Sequence, residues 1–382
     1  MRALEFTPSV ARHVASRASL RAGLGGLRLV ERNPPLPPAP GWVQVRPILS
    51  GICGSDRALV TGDASPYLGA LTSSPFVPGH EVVGRLRDGQ RVVVEPALGC
   101  TARNVPACPE CGAGWHALCR HVTDGDVGAG LQVGFCRDTS GGWSDGLVAH
   151  ESQIHAVPEG LRDEDAVLAE PLACCLHAAR RADLEALDDP VVAVIGAGTI
   201  GLLTVAAVRA VAPHATVVAA AKHPAQQGAA RRLGADATCA PDRLHLELAR
   251  VTGSRRLVGK LSHELLLGGA DAILDCVGSS ASLQQAVTAT RPRGTVVMVG
   301  MPGRTALDLS LAWQRELDLR GAYGPTGEFP AALELAERLR LGDLVDDGFA
   351  LEDHREALAS APRAARAGRV KTVFDLRREA AA

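Results

Sequence analysis

The chain is poor in aromatic residues and has no excess of charge of either sign. Its 382 residues include 6 Phe, 4 Trp and 2 Tyr, and the formal net charge is −2. A surface that grips nucleic acid needs clustered Lys and Arg for the phosphates and aromatic rings for the bases. We therefore expect no nucleic-acid partner. The scarcity of aromatics also argues weakly against a binding site built for a flat aromatic molecule.

Long apolar segments are also missing, with one exception. Residues 1–23 contain scattered arginines and no apolar core, so they do not resemble a secretory signal. Residues 191–208 carry no charge, but glycines interrupt them, which indicates a strand, a glycine turn and a helix start rather than a membrane span. We expect a cytoplasmic protein with no membrane partner, in a compartment where thiols stay reduced.

Length and hydrophobic pattern predict two domains of different kinds. The first third is rich in Pro and Gly and has short β-type runs at 42–48 and 91–94, which predicts an irregular all-β region. From about residue 190, apolar strand-like runs alternate with helix-like segments, which predicts a parallel sheet with crossover helices. A helix-like stretch at 329–342 and a strand-like one at 370–376 come last.

The stretch VVAVIGAGTIGLL predicts a dinucleotide site. Gly196, Gly198 and Gly201 have the G-x-G-x-x-G spacing, directly after an apolar strand and at the start of an apolar helix that begins with Thr199 and Ile200. In such a turn the first glycine permits the tight bend, the second lets the backbone approach a pyrophosphate, and the third allows close helix packing.

The end of the next strand indicates which dinucleotide is bound. An acidic residue there would bind the ribose 2′-hydroxyl of NAD, but TVVAAAKHPAQQ places Ala221, Lys222 and His223 at this point. A missing carboxylate next to a cation suits a 2′-phosphate, so we expect the protein to bind NADP in preference to NAD. The alternative is that Lys222 is an ordinary surface lysine and either cofactor is accepted.

Two short motifs upstream contain the donor types of an open zinc site. GICGSD holds Cys53 and PGHEVVG holds His80. A catalytic zinc takes three protein ligands from Cys, His and carboxylate and leaves one position for water or substrate. Taken alone, a Cys and a His at this separation are usually core residues.

Five further stretches accompany these motifs along the chain: GQRVVVEP, the cysteine-rich residues 100–119, AEPLACCLHA, DCVGS and RPRGTVVMVG. In this order they resemble the zinc-dependent medium-chain dehydrogenases/reductases of the alcohol dehydrogenase superfamily, in particular the polyol, glucose and threonine dehydrogenase branch. The resemblance covers nearly the whole chain. It implies an α/β protein with a GroES-like, mostly-β catalytic domain (1–170 and 323–382) and a doubly wound Rossmann domain (171–322). It also implies a homodimer or homotetramer, for which the strand GTVVMVG is a candidate pairing surface.

The resemblance further implies the residues of the active site. Cys53 and His80 would bind the catalytic zinc, with Glu81 as an alternating or outer ligand. Glu170 would be the remaining ligand, either directly or through water; alternatively, its charge only favours a helix start.

The resemblance also implies supporting roles in the active site for two neighbours of Cys53. Asp56 would orient His80 through its other ring nitrogen, and Ser55 would hold the proton of the reacting hydroxyl. Both residue types also suit a plain turn. Ala58 stands where family members often carry a proton-relaying histidine, and residues 9–26 look like an insertion.

Three further residues are implied to contact the cofactor. Val277 lies in DCVGS and Gly300 ends the strand TVVMVG. Lys371, in VKTVF, is expected to reach a cofactor phosphate, although a lysine at a strand edge is the simpler interpretation.

Four cysteines fall within residues 100–119, at positions Cys100, Cys108, Cys111 and Cys119. Four sulfurs complete a tetrahedral zinc shell and leave no place for substrate. A reducing compartment disfavours disulfides, and CPEC does not open a helix in a βαβ unit as a redox motif would. The resemblance implies a structural zinc lobe at about 98–120, with a longer spacer, TARNVPA, after Cys100.

The leading hypothesis is therefore a zinc enzyme with a catalytic and a structural zinc. It would transfer a hydride between NAD(P) and a secondary alcohol, polyol, aminoalcohol or the matching ketone or aldehyde. One alternative is a zinc-independent enoyl or quinone reductase, which would lack the Cys53, His80 and Glu170 set. The other is a non-catalytic zinc- or nucleotide-binding protein.

Overall fold

The computed structural model describes residues 1–8, 26–260, 263–325 and 327–378. Of the expected insertion at 9–26, residues 9–25 lie outside these ranges. The chain divides into two compact units. The first consists of Met1–Ala173, Gly324–Pro362 and Lys371–Ala382, and the second of Cys174–Tyr323 and Arg363–Val370.

The secondary structure of the described residues is as follows. The strands are β1 (Arg2–Phe6), β2 (Leu27–Glu31), β3 (Trp42–Gly51), β4 (Val82–Arg85), β5 (Arg91–Val94), β6 (Leu147–His150), β7 (Ile154–Ala156), β8 (Val191–Ile195), β9 (Thr216–Ala220), β10 (Ala237–Cys239), β11 (Arg255–Val258), β12 (Glu264–Leu267), β13 (Ala270–Asp275), β14 (Thr290–Met298), β15 (Asp318–Gly321) and β16 (Val373–Asp375). The α-helices are α1 (Gly54–Thr61), α2 (Pro109–Gly112), α3 (Asp163–Ala166), α4 (Ala169–Arg180), α5 (Thr199–Val211), α6 (Pro224–Arg232), α7 (Leu244–Thr252), α8 (Ser280–Ala289), α9 (Ser310–Gln314), α10 (Phe329–Leu339) and α11 (His354–Arg366).

The first unit is built on an antiparallel sheet. Its strand order is β16-β3-β4-β5-β7, and β6 pairs with the first half of β3. Short valine-rich strands form this sheet because β-branched side chains pack well on a pleated surface. Val45, Val82, Val92 and Leu147 contribute to one buried cluster beneath it. The sheet places the ends of β3, β4 and β16 next to one another.

The second unit is a parallel sheet with strand order β10-β9-β8-β13-β14-β15. Counted from β8, this is the order 3-2-1-4-5-6 of a Rossmann fold, whose switch point lies between the first and fourth strands, here β8 and β13. The GroES-like plus Rossmann fold class is confirmed. The sequence did not predict the antiparallel pair β11–β12, inserted before β13. Among the helices of the described ranges, none has the length and apolar character needed to cross a membrane.

Candidate active site

Two neighbouring strands bring Cys53, His80 and Glu81 together. Cys53 follows the end of β3 and takes the N-cap position of α1 with extended backbone, φ −82° and ψ 158°. His80 and Glu81 directly precede β4, the antiparallel neighbour of β3. The Gly51 N–H donates to the Glu81 carbonyl oxygen at 2.8 Å, which fixes the two segments at the point where the side chains meet.

These three side chains form a set that fits zinc. The Cys53 sulfur, a His80 ring nitrogen and a Glu81 carboxylate oxygen all lie within 4.8 Å of one another. His80 and Glu81 are buried, at 4% and 1% exposure. Thiolate, imidazole and carboxylate are the ligand types of zinc, and three protein ligands leave a position for water or substrate. A zinc ion held there would act as a Lewis acid on a hydroxyl or carbonyl oxygen.

Asp56 holds the other side of the His80 ring. Its carboxylate is fully buried, with Oδ1 3.3 Å from His80 Nδ1 and Oδ2 accepting the Cys53 N–H at 3.1 Å. This contact favours the proton on Nδ1 and leaves Nε2 for a metal. Burial lowers the pKa of His80, but the charge of Asp56 at this distance, together with Cys53, raises it well above its usual value. A metal on Nε2 would displace the proton held there.

The structure does not place Glu170 in this set. Glu170 is buried in the first turn of α4, and the group of candidate ligands around Cys53 contains Glu81 instead. The sequence leaves open whether Glu81 or Glu170 binds the metal directly, and the geometry favours Glu81 as the third ligand. A contact of Glu170 through water stays a prediction.

Lys371 lies at the zinc set, in the first unit. Because β16 pairs with β3, with Val373 opposite Gly51, Lys371 is carried to the level of Cys53. Its ammonium forms a buried ion pair with Glu81 and donates to the Ile52 carbonyl oxygen at 3.3 Å. Burial lowers the pKa of Lys371, but the nearby Glu81 charge outweighs this and raises it. Lys371 is therefore not a solvated lysine at a strand edge. Its contact with a cofactor phosphate stays a prediction.

Ser55 lies two residues beyond Cys53, in the first turn of α1, and is half-buried. Ala58 follows on the same helix and offers no group that carries a proton. The part assigned to Ser55, holding the proton of the reacting hydroxyl, stays a prediction.

The four cysteines form a single closed shell. Their sulfur atoms all lie within 4.8 Å of one another, and the sulfurs of Cys100 and Cys119 are 3.5 Å apart. Four sulfurs at about 2.3 Å from a tetrahedral zinc are about 3.8 Å from each other, so this spacing suits zinc. Cys100 therefore reaches the shell despite its longer spacer.

Backbone amides stabilise negative charge on these sulfurs. The Cys100 N–H donates to the Cys111 sulfur at 3.4 Å, and the Cys108 N–H to the Cys100 sulfur at 3.3 Å. A hydrogen bond from the Arg120 backbone lowers the pKa of Cys108 to about 6, whereas burial raises the pKa of Cys119 to about 11. Four thiolates at this separation would repel one another, so the fully deprotonated shell requires a bound cation.

A buried arginine, which sequence reasoning missed, braces the loop beside this shell. Arg103 is 0% exposed, and burial lowers its pKa. Its guanidinium donates to the backbone carbonyls of Leu98, Asp124, Val127, Gly128 and Gly130. Arg103 lies within the longer spacer TARNVPA. The extra residues after Cys100 therefore contain the side chain that fixes the neighbouring loop.

Replacing Cys100 by serine is expected to remove one zinc and lower the apparent Tm by roughly 10 °C, because the four-sulfur shell holds the lobe together. Turnover by the molecules that stay folded should remain within about threefold of the parent, since the shell has no open position for substrate. Metal analysis, thermal unfolding and steady-state rates measure the three quantities. Cys136→Ser, which changes a buried thiol outside the shell, is the control. Loss of activity in a folded variant that keeps its zinc would overturn the division between brace and active site.

In the second unit, the turn after β8 contains three glycines, and a different structural requirement explains the glycine at each position. Gly196 has φ +93°, and a Cβ there would lie 2.6 Å from Val277 Cγ2. A Cβ at Gly201 would overlap the Gly196 carbonyl oxygen. Gly198, at the N-cap of α5, faces open space, with nothing within 4 Å of a Cβ. An open backbone at a helix N-terminus is where a pyrophosphate binds.

The loops after β13 and β14 pack on each other beside this turn. Asp275 is fully buried and accepts the N–H groups of Val277 at 3.0 Å and Gly278 at 3.2 Å. A Cβ at Gly300 would lie 2.7 Å from the Cys276 carbonyl carbon. Val277 and Gly300 thus lie at the carboxyl ends of parallel strands, where dinucleotides bind. Sequence reasoning missed Asp275, the carboxylate that positions Val277.

The remaining candidate cofactor residues begin α5 and follow β9. Thr199 donates its hydroxyl to the Val370 carbonyl oxygen at 2.6 Å, and the Ile200 carbonyl accepts from Cys175. Ala221 is fully buried, Lys222 is exposed, and His223 takes the N-cap of α6. The contacts of these residues with a cofactor stay predictions.

Comparison with known proteins identifies the family. Residues 39–159 match the alcohol dehydrogenase GroES-like domain, and residues 199–338 match the zinc-binding dehydrogenase domain. The chain belongs to the zinc-type medium-chain alcohol dehydrogenases, as the sequence motifs indicated.

Two named relatives and one solved structure are similar to the chain over most of its length. Sorbitol dehydrogenase of Arabidopsis thaliana is 28% identical over 381 residues, 94% of this chain and 95% of the relative. L-idonate 5-dehydrogenase of Vitis vinifera is 27% identical over 382 residues, with the same coverage of 94% and 95%. A zinc-binding dehydrogenase from Sinorhizobium meliloti 1021, solved with NADP, has a TM-score of 0.74 at 24% identity and covers 98% of each chain.

The protein is therefore an enzyme, an alcohol dehydrogenase that uses zinc and NAD(P). It transfers a hydride between an alcohol and the nicotinamide. The zinc-independent reductase and the non-catalytic binding protein are set aside.

Proposed function

We propose that this dehydrogenase acts on the secondary hydroxyl of a polyol or a related aminoalcohol, or on the matching ketone, with its catalytic zinc held by Cys53, His80 and Glu81. The observation that carries the proposal is the open set of three ligands beside a separate, closed four-sulfur shell. The substrate class is supported by the relatives named for sorbitol and L-idonate.

The side chains around this set have complementary parts. Asp56 keeps the His80 ring oriented, so that Nε2 is available to the metal. Lys371 offsets the negative charge of Glu81. Because thiolate and carboxylate ligands both donate negative charge, this cation preserves the electrophilic character of a metal held there.

A substrate panel tests the proposal. Protein of known zinc content is assayed with simple alcohols, polyols and aminoalcohols, with both nicotinamide cofactors, by the absorbance of the reduced ring. We expect the highest kcat/KM on polyols with a secondary hydroxyl. Turnover confined to simple primary alcohols would contradict the substrate class, and full turnover after removal of the catalytic zinc would contradict the assigned site.

We further propose that NADP is the preferred cofactor, because β9 ends at Ala221 and Lys222 and not at a carboxylate. Ala221→Asp is expected to lower kcat/KM for NADP by about 100-fold and to raise it for NAD, since a carboxylate repels the 2′-phosphate and binds the 2′-hydroxyl. Lys222→Gln is the matched variant and should weaken NADP without improving NAD. A parent enzyme that prefers NAD would contradict this interpretation of the strand end.

We also propose a cytoplasmic homodimer or homotetramer acting on a small molecule. The structure changes one detail, because β15 and not the strand GTVVMVG of β14 lies at the edge of the sheet. Leu319 on β15 and nearby Trp313 are exposed at 41% and 83%, which suits pairing of this edge with a second copy. Light scattering on the purified protein tests this, and a monomer at micromolar concentration would contradict it.

A further inference from the structure

Trp143 is the largest fully buried side chain of the described residues, and it lies beside the zinc set. Its Nε1–H donates to the Gly51 carbonyl oxygen at 3.2 Å. The ring packs against Gly79, which has φ +99° and where a Cβ would overlap Trp143 Cδ1. On another side, Phe374 approaches edge-on, with ring centroids 5.2 Å apart and planes at 72°. One indole therefore contacts three separate segments.

Each of these segments carries a member of the zinc set or its partner. Gly51 lies two residues before Cys53, Gly79 directly precedes His80, and Phe374 on β16 follows Lys371. A shift of any segment relative to the indole would move a metal ligand or the cation paired with one.

Backbone hydrogen bonds fix the indole to one of the three segments. The Trp143 N–H donates to the Pro78 carbonyl oxygen at 3.0 Å, and the Gly142 N–H to the Gly79 carbonyl oxygen at 2.8 Å. Trp143 thus moves together with the segment that leads to His80. Its Nε1–H then links that segment to Gly51, on the side of Cys53.

Gly51 itself has almost no room to move. A Cβ there would overlap Glu81 Oε2 and lie 2.6 Å from Lys371 Cε. The Gly51 backbone therefore packs directly against the Glu81–Lys371 ion pair. A hydrogen bond that holds the Gly51 carbonyl also limits the positions open to this pair.

We propose that Trp143 is a positioning residue for the catalytic metal: through Gly51, Gly79 and Phe374 it holds Cys53, His80 and Glu81 as a preformed ligand set. The inference rests on the proposed function, which assigns these three side chains to zinc. Partners behind the ligands of a metal typically change its affinity by about 10- to 100-fold.

Trp143→Phe tests the inference because it keeps an aromatic ring against Gly79 and Phe374 but removes the N–H that binds Gly51. We expect an affinity of the catalytic site for zinc about 10- to 100-fold lower, in a competition with a chromogenic chelator. The zinc of the four-cysteine shell should stay bound, and the d–d spectrum of cobalt in the catalytic site should change. Trp42→Phe is the matched control, since it shortens another buried indole of the first unit, packed edge-on to His150.

A second variant covers the case in which Trp143→Phe does not fold. Phe374→Leu loosens the indole from the opposite side and should weaken the catalytic zinc in the same direction. The test uses whichever of the two variants folds. The inference is overturned if that variant has the same catalytic zinc affinity and the same cobalt spectrum as Trp42→Phe. Failure of the proposed function gives a different result: the parent protein itself would then bind no zinc ion whose binding depends on Cys53.

Discussion

Replacing Cys53 by serine is expected to remove one of two zinc ions per chain and to lower kcat/KM by at least about 1,000-fold. A serine hydroxyl stays protonated at neutral pH and is a poor ligand, so the set would keep only His80 and Glu81. The fold should persist, because Cys53 is a half-buried helix cap and not part of a buried apolar cluster. Metal analysis and steady-state rates on the same preparation measure both effects.

The control for this experiment is Cys136→Ser, which removes a thiol that is fully buried elsewhere in the first unit. It should keep both zinc ions and its turnover. The account fails if Cys53→Ser loses a zinc ion and still turns over substrate at the parent rate.

The second large effect concerns Lys371. Lys371→Met is expected to lower the free energy of unfolding by about 3 kcal/mol, because it leaves the Glu81 carboxylate buried without its cation. The two side chains are 2% and 1% exposed, so water cannot take the place of the ammonium. Urea unfolding of protein freed of its catalytic zinc, so that no metal ion offsets the Glu81 charge, gives this difference as a shift in the transition midpoint.

Two further variants define the cause of this loss. Glu81→Gln combined with Lys371→Met removes both charges and should regain more than half of the lost stability, since no buried charge remains unpaired. Lys222→Met changes an exposed lysine and should have no effect. A Lys371→Met variant as stable as the parent would show that the buried pair is not the contact described above.

Local patterns were sufficient to predict the nucleotide fold. The strand over Val191–Ile195 and the glycine turn of Gly196, Gly198 and Gly201 follow from requirements that lie within a few residues. Alternation of strand and helix patterns then gave the class of the second unit. The edge strand β15 was not predicted because its sequence, DLRG, is short and largely exposed, and two of its four residues are charged.

The contacts that complete the zinc set depend on distant pairing. Lys371 and Ile52 are 319 residues apart in the chain and meet only because β16 pairs with β3. No local signal distinguishes such a lysine from a solvated one. Trp143 and Arg103 are similar cases, since a lone tryptophan predicts only packing and an arginine in a polar loop predicts only solvent exposure.

The most direct measurement is anomalous scattering at the zinc absorption edge from crystals of the protein purified with zinc. We predict two peaks per chain, one among Cys53, His80 and Glu81 and one inside the shell of Cys100, Cys108, Cys111 and Cys119. A peak in the four-cysteine shell alone, in protein that oxidises alcohols at its full rate, would contradict the assignment of the chemistry to the Cys53 site.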